Sequence, residues 1–283
     1  MNSFQRIEEY IHTIPQEPKV VTGAAAGQDL TGWPQRGHLQ VESLTAGYAL
    51  DSEPVLSSID LDAQPCQRIA IVGRSGSGKS SLVASVLRLA TKFQGRVAID
   101  GVDLDTVDAE RLRQGVSFIP QNPTLFEEPL RFNLDFAGNV SDVTLQKALD
   151  DVLGDTDKPW SLDQTIAANG SNLSQGERQL IAIARALVAD TKIVIIDEAT
   201  ASLDESSDHR IQKLLRERLA DKTLLAIAHR LATIIDFDMV LVMDHGEVVE
   251  RGNPKQLVES GEGEFWKLWQ AMYSGNSEAG RSW

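Results

Sequence analysis

Cysteine, basic charge and long apolar runs are all scarce in this chain of 283 residues. The single cysteine, Cys66, excludes an internal disulfide and fits a reducing compartment, and we interpret it as a small core residue. The net charge of −14 argues against a nucleic-acid partner, because no basic surface would offset the repulsion from phosphates. No apolar run approaches the roughly 18–20 residues that cross a bilayer, and the N-terminus lacks a signal-peptide pattern. The sequence therefore predicts a cytosolic chain that meets a membrane only through a partner or a missing segment.

One segment rich in glycine and serine carries the strongest functional signal. It lies between an apolar run at 68–72, which predicts a buried strand, and an apolar-periodic stretch at 81–87, which predicts a helix. The segment matches the P-loop pattern GxxxxGK followed by serine or threonine. Its residues, with the serine that follows, are Gly73, Arg74, Ser75, Gly76, Ser77, Gly78, Lys79, Ser80 and Ser81.

The chemistry of this segment suits a nucleoside triphosphate. Glycines let successive backbone N–H groups approach phosphate oxygens, and the helix start adds a partial positive charge. Lys79 supplies a full positive charge, and Ser80 puts a hydroxyl where Mg²⁺ must sit. The segment therefore predicts a site for ATP with Mg²⁺.

Strand and helix patterns alternate along the chain after this segment. The apolar runs at 193–196 and 223–228 are continuous, as parallel strands buried on both faces require. The alternation predicts an α/β fold, preceded by a small antiparallel β region. Within the mostly helical stretch predicted for 124–170, we place five apolar residues on one side of a helix, namely Val143, Leu145, Ala148, Leu149 and Val152.

Composition divides the chain into four parts. Residues 1–14 have apolar residues at helical spacing and predict an amphipathic helix, whereas 15–37 are rich in Pro, Gly and Ala and predict a linker. The α/β domain is predicted for 38–273, with a helical part around 124–185. The tail at 274–283 is polar and small, and we expect it to be disordered.

Polar side chains follow three of the predicted core strands. Gln121 follows the first, Asp197 and Glu198 the second, and His229 the third. Because ligands of such sheets bind at the carboxyl ends of the strands, these side chains are candidates for catalysis. Asp197 would anchor Mg²⁺, Glu198 would orient or deprotonate water, Gln121 would reach both, and His229 would donate to a γ-phosphate oxygen. An acidic cap or turn, a solvated glutamine and a structural histidine remain the alternatives.

Ser174 and Gly176 precede a strongly apolar helix and make its start a second anion site. One ATP does not need two such sites in a single chain. We therefore expect two domains paired head to tail, each lending its helix start to the nucleotide of the other. An ordinary capped helix is the alternative.

Tyr48 lies shortly before the predicted strand of the P-loop. An aromatic side chain there could stack on adenine, a contact worth roughly 1–3 kcal/mol per base. A tyrosine in the core is the competing interpretation.

These motifs, in this order, resemble the nucleotide-binding domain of ATP-binding-cassette transporters over nearly the whole chain. The set includes the signature Leu173-Ser174-Gln175-Gly176-Glu177, the D-loop Ala201-Ser202-Leu203-Asp204 and the switch segment Ala228-His229-Arg230. Segments such as Trp33–Leu39 are similar to the second such domain of subfamily C exporters, the multidrug-resistance-associated type.

The resemblance implies an α/β fold with a P-loop NTPase core, an antiparallel β subdomain and a helical signature subdomain. Two such domains would sandwich two MgATP at the cytoplasmic face of a membrane, and hydrolysis would drive export through membrane domains that contact them by coupling helices. It also implies roles for single residues. Tyr48 stacks on adenine, Ser80 and Gln121 meet Mg²⁺, Glu198 polarises water and His229 contacts the γ-phosphate. The signature residues Leu173, Ser174, Gln175, Gly176 and Glu177, and also Asp204, are placed at a nucleotide, with Ser174 and Gly176 serving the facing domain.

The sequence departs from the family pattern at Gln175, at Glu177 and at Glu127-Glu128-Pro129, which lies on the surface expected to receive a coupling helix. Residues 1–10 resemble the cytosolic end of a last membrane helix, so the chain looks like a transporter cut at its membrane boundary. Two other function classes remain open. One is a soluble cassette ATPase in DNA repair or translation, and the other is an ATP-binding module that regulates a transporter.

Overall fold

A computed structural model describes residues 30–49, 52–153, 160–197, 205–228 and 230–274, and leaves side chains at 153, 205–210, 232 and 272–274 undescribed. The predicted helix at 1–14, most of the linker and the tail lie outside these residues. So do three candidate site residues, Glu198, Asp204 and His229.

From the third strand onward, strands and helices are interspersed along the described chain, with two pairs of successive strands and two runs of successive α-helices. The strands are β1 (Leu39–Gly47), β2 (Leu56–Ala63), β3 (Arg68–Gly73), β4 (Thr91–Ile99), β5 (Val102–Asp103), β6 (Val116–Ile119), β7 (Ile193–Asp197), β8 (Thr223–Ile227), β9 (Met239–Asp244) and β10 (Glu247–Gly252). The α-helices are α1 (Lys79–Val86), α2 (Ala109–Gly115), α3 (Leu130–Leu134), α4 (Asp142–Leu153), α5 (Gln175–Ala189), α6 (Glu205–Arg218), α7 (Leu231–Ile234), α8 (Pro254–Ser260) and α9 (Gly263–Ser274). No helix in these described ranges is both long and apolar enough to cross a membrane.

The strands form two sheets. The smaller sheet has the order β2-β1-β4-β5, and its strand pairs are antiparallel. The larger sheet has the order β10-β9-β3-β8-β7-β6 and is parallel except for the hairpin of β9 and β10. The predicted α/β fold and its antiparallel β region are therefore confirmed.

Strand β3 shows why the larger sheet is buried on both faces. Successive side chains of a strand point to opposite faces. Ile69 and Ile71 join a core that also contains residues of the small sheet and of α1. Ala70 and Val72 join the other core, which contains α4, α5 and Phe265 of α9. A continuous apolar run is what a strand between two such cores requires.

Two interpretations of single residues are wrong. Val143 is 81% exposed and lies outside the apolar face of α4, which buries Leu145, Leu149 and Val152. At about 100° per residue, Val143 lies roughly 200° around the helix from Leu145. Cys66 is exposed rather than in the core, because it occupies the turn between β2 and β3 at the surface.

The helical stretch predicted for 124–170 is also shorter than expected. Its described residues form α3, α4 and a 3-10 turn at Ala168–Gly170, joined by loops.

Candidate functional site

The P-loop connects β3 to α1, as its motif predicts, and its glycines serve different purposes. At Gly73, φ is 150°, and an added Cβ would lie 2.2 Å from the carbonyl oxygen of Met243 in β9. At Gly76, φ is 79°, but nothing lies within 4 Å of the position of an added Cβ. The first glycine therefore allows close packing against the sheet, while the second leaves open space beside the loop. Open space beside a loop that leads into a helix start leaves room for a bound phosphate.

Lys79 is held inside this loop. Its side chain is only 6% exposed, and its Nζ donates to the carbonyl oxygens of Gly73 and Arg74, both at 2.9 Å. The Ser77 side chain is buried under the loop, and its Oγ has no hydrogen-bond partner among the described residues. The loop thus fixes a positive charge at the end of β3, and Ser80 is exposed at the same helix start.

Strand register puts the predicted metal ligands at the same edge of the sheet as the P-loop. Asp197 pairs with Ile227, which in turn pairs with Ile71 near the end of β3. Gln121 follows β6 by two residues, and Ile119 at the end of β6 pairs with Ile196. A carboxylate, an amide and the Ser80 hydroxyl all offer oxygen, which Mg²⁺ prefers. Among the described residues, no group of three or more His, Cys, Asp and Glu could hold a metal.

Tyr48 is not a core residue. It is 60% exposed, and its hydroxyl lies 3.0 Å from the Oγ of Ser81, in the first turn of α1. The side chain is therefore adjacent to the P-loop helix. Stacking on adenine remains a prediction.

The signature segment forms the start of α5, and Ser174 caps it. The Ser174 Oγ accepts from the backbone N–H of Glu177 at 3.2 Å, and the Glu177 carboxylate accepts from the N–H of Ser174 at 2.7 Å. This reciprocal pair is a capping box. Leu173 is buried, Gln175 and Gly176 are half-buried, and Ser174 is exposed. The cap agrees with the ordinary-helix interpretation, and the role of Ser174 and Gly176 at a facing nucleotide remains a prediction.

Sequence reasoning missed two polar side chains of α5. Gln179 is 1% exposed, and its Nε2 donates to the carbonyl oxygens of Pro120 at 3.1 Å and Gln121 at 2.6 Å. Arg185 donates to the carbonyl oxygen of Thr124 at 2.8 Å, and burial lowers its pKa to about 10. Both side chains interrupt the apolar pattern of the helix, and that interruption is the signal that could have found them.

Comparisons with known proteins match this arrangement. A family model described as ABC transporter matches residues 56–201. The chain is 42% identical over 267 residues to the ATP-binding cassette transporter abc4 of Schizosaccharomyces pombe. This match covers 91% of this chain and 18% of that protein. The chain is 39% identical over 280 residues to ABC transporter C family member 3 of Arabidopsis thaliana, covering 98% of this chain and 18% of that protein. The chain thus spans about a fifth of the length of these curated relatives.

The fold is also similar to that of a solved structure, a bacterial Atm1-family ABC exporter with ATP bound. The two chains superpose with a TM-score of 0.77 at 30% sequence identity. The match covers 84% of this chain and 42% of that one.

Proposed function

Because this chain belongs to the ABC transporter family, we propose that it is a nucleotide-binding domain that binds ATP with Mg²⁺ and hydrolyses it to drive transmembrane export. The observation that carries the proposal is the meeting of three features at the carboxyl edge of the larger sheet. These are the P-loop with its buried Lys79, the carboxylate of Asp197, and Gln121 after β6.

The described residues fit both ligands. The open space beside Gly76 and the N–H groups at the start of α1 suit a polyphosphate, and Lys79 adds the positive charge. Ser80, Gln121 and Asp197 would hold Mg²⁺ through oxygen. When bound, the metal would neutralise negative charge on the phosphates.

We assign the remaining steps to residues of the chain itself. Glu198, next to Asp197, would orient or deprotonate the attacking water, and His229 would donate to the γ-phosphate as charge develops. Tyr48 would support the adenine ring, since it is exposed beside α1. These three roles derive from sequence position and family resemblance.

The partners belong to the same proposal. The exposed Ser174 at the start of α5 would serve the nucleotide of a second nucleotide-binding domain, and membrane domains would contact this chain through coupling helices at the cytoplasmic face of a membrane.

The test is steady-state ATP hydrolysis by the purified chain and by its Glu198→Gln variant. Removing a general base typically costs 10²- to 10⁴-fold, so we expect the variant to bind ATP normally and to lose turnover by roughly that factor. Lys79→Ala should lose ATP binding itself. Glu259→Gln, an exposed glutamate of α8, is the matched control and should keep full activity.

Three results would count against the proposal. Unchanged hydrolysis in Glu198→Gln would remove that residue from catalysis. Negligible hydrolysis at every protein concentration, with ATP still bound, would favour a regulatory binding module, whereas activity that rises with concentration supports pairing of two domains. Salt-sensitive binding of nucleic acid would favour a soluble ATPase outside transport.

A further inference from the structure

Helix α5 is attached at two points to the loop that follows β6. The first point is Gln179, whose amide group donates both hydrogen bonds to the backbone of Pro120 and Gln121. These two residues are 58 and 59 positions away in sequence, so the contact joins elements that are distant along the chain. Ser174 of the signature segment caps the start of α5, and Gln179 lies a little more than one turn beyond this cap.

The second point is Arg185, about one and two-thirds turns further along the helix. Its guanidinium donates to the carbonyl oxygen of Thr124 and to Asn133, through the Asn133 Oδ1 at 3.1 Å and also its backbone oxygen. Asn133 is fully buried and binds both the N–H and the carbonyl oxygen of Phe126, at 2.8 and 3.0 Å. Segment 120–133 is therefore fixed to α5 at its start and at its end.

Only one of the two polar atoms of the Gln179 side chain makes hydrogen bonds among the described residues. Both contacts use its Nε2, whereas its Oε1 is buried and has no partner among the described residues. A buried acceptor without a partner costs free energy, so this amide is a poor choice for stability alone. An apolar side chain of similar size would fill the same space. What the amide adds is a pair of donors, one aimed at the carbonyl oxygen of Pro120 and the other at that of Gln121.

We propose that Gln179 is a positioning residue that sets the place of Gln121 at the sheet edge and makes the start of α5 and the loop after β6 move together. The inference rests on the proposed function, in which Gln121 meets Mg²⁺ and the attacking water. The hydrogen bonds of the Gln179 side chain go only to backbone, so it would act through Gln121 and not on the nucleotide.

The test is a double-variant cycle with Gln179→Met and Gln121→Ala in the full chain. Methionine keeps the volume of the side chain and removes both donors. Losing the support of a ligand typically costs 10- to 100-fold, so we expect kcat to fall about 10-fold with the KM for ATP unchanged. The double variant should lose no more than about 2-fold beyond Gln121→Ala, because the two residues act as one unit. Losses that multiply would overturn the inference.

A second measurement does not depend on hydrolysis. Hydrogen exchange of the ligand-free chain should become several-fold faster at residues 120–126 in Gln179→Met, where the amides of 121, 122 and 124–126 report because 120 and 123 are prolines, and should stay unchanged in the β8 region. Gln146→Met is the matched control, since Gln146 lies on the neighbouring α4 and donates its hydrogen bond to Asp150 of that same helix. Unchanged exchange at 120–126 would refute the positioning role even in an active protein.

The two measurements separate this inference from the proposed function. A wild-type chain without ATPase activity would count against the function, while hydrogen exchange would still decide the role of Gln179. If Gln179→Met fails to fold, Gln179→Glu replaces it. Its carboxylate should repel the two carbonyl oxygens and lower the protection of the loop after β6 at neutral pH, and its protonated form should restore one donor and raise the protection as the pH falls, where protection is the intrinsic amide exchange rate at each pH divided by the observed rate. Protection that does not change with pH in that variant would refute the inference.

Discussion

Replacing Asp100 tests how the segment before β1 is held on the domain. Asp100 lies in the turn between β4 and β5, and its carboxylate accepts three backbone N–H groups, from Gln35 at 2.7 Å, Arg36 at 2.9 Å and His38 at 2.8 Å. The three bonds gather four residues of irregular chain around one negative charge. The segment would otherwise have to satisfy these N–H groups with water.

The expected loss can be estimated from these contacts. Hydrogen bonds to a charged group contribute about 1.5–3 kcal/mol each, and half-burial of Asp100 reduces that to about 1 kcal/mol. Asp100 also has a φ of 52°, which asparagine tolerates and alanine does not, at a cost of about 1 kcal/mol. We therefore expect Asp100→Ala to lower the free energy of unfolding by about 3–4 kcal/mol. Asp100→Asn, which keeps one acceptor oxygen, should lower it by about 1–2 kcal/mol.

The loss should depend on pH in a defined direction. Burial alone would raise the pKa of Asp100, but the N–H groups of the segment, from Arg36, His38, Gln35 and Gly37, together lower it below its ordinary value. Because the pKa is lower in the folded chain, the stabilisation is complete above the unfolded pKa of about 3.9 and disappears as the pH falls through the folded pKa. The difference between wild type and Asp100→Asn should therefore be constant from pH 7 to 5 and shrink below about pH 4.

Urea unfolding followed by circular dichroism measures these differences. Asp108→Asn is the matched control, because Asp108 is an exposed acid at the start of α2 whose side chain makes no capping hydrogen bond, and its replacement should change stability by less than about 0.5 kcal/mol. The reasoning is refuted if Asp100→Ala costs no more than this control, or if the gap between wild type and Asp100→Asn widens on acidification.

Two further predictions concern the P-loop and the helical part. Gly73→Ala should lose ATP binding in calorimetry, because its Cβ would lie 2.2 Å from the Met243 oxygen, whereas Gly76→Ala, with nothing within 4 Å, should suffer only the strain of its positive φ. Equal affinities of the two variants would contradict this. Leu149→Ala should destabilise the chain by about 2–5 kcal/mol in urea unfolding and Val143→Ala by less than about 0.5 kcal/mol, because the first side chain is buried and the second exposed. Similar losses would show that the helix faces have been assigned wrongly.

The larger sheet could be predicted because its signal is local and strong. The runs 193–196 and 223–228, which coincide with β7 and β8 to within one residue, are continuous and apolar, as a parallel strand between two cores requires. The P-loop could be predicted for the same reason, since motif, strand and helix are contiguous. The cap at Ser174 followed from a hydroxyl residue in front of an apolar helix.

The features that the sequence does not predict depend on contacts between distant parts of the chain. The sequence does not reveal that Gln179 reaches the backbone of Gln121, because a helix pattern says which residues are buried and not what they meet. Cys66 was misjudged because small residues are usually buried, while the turn that exposes it is set by two strands. The exposure of Tyr48 and its contact with Ser81 likewise follow from how the small sheet lies against α1.

The hydrogen bonds of Asp100 and the P-loop lie at opposite ends of the strands of the larger sheet. The segment held by Asp100 also accepts a hydrogen bond from Thr223, the first residue of β8, at the carbonyl oxygen of Gly37, whereas the P-loop lies beyond the last residues of β3. Since β8 has five residues at about 3.3 Å per residue, roughly 13 Å of buried strand separates the two edges. At that distance, the Asp100 carboxylate cannot contact a phosphate bound at the P-loop. The Asp100 variants should therefore weaken folding while the folded fraction keeps its affinity for ATP, and a matching fall in affinity would mean that the two edges are coupled through the sheet.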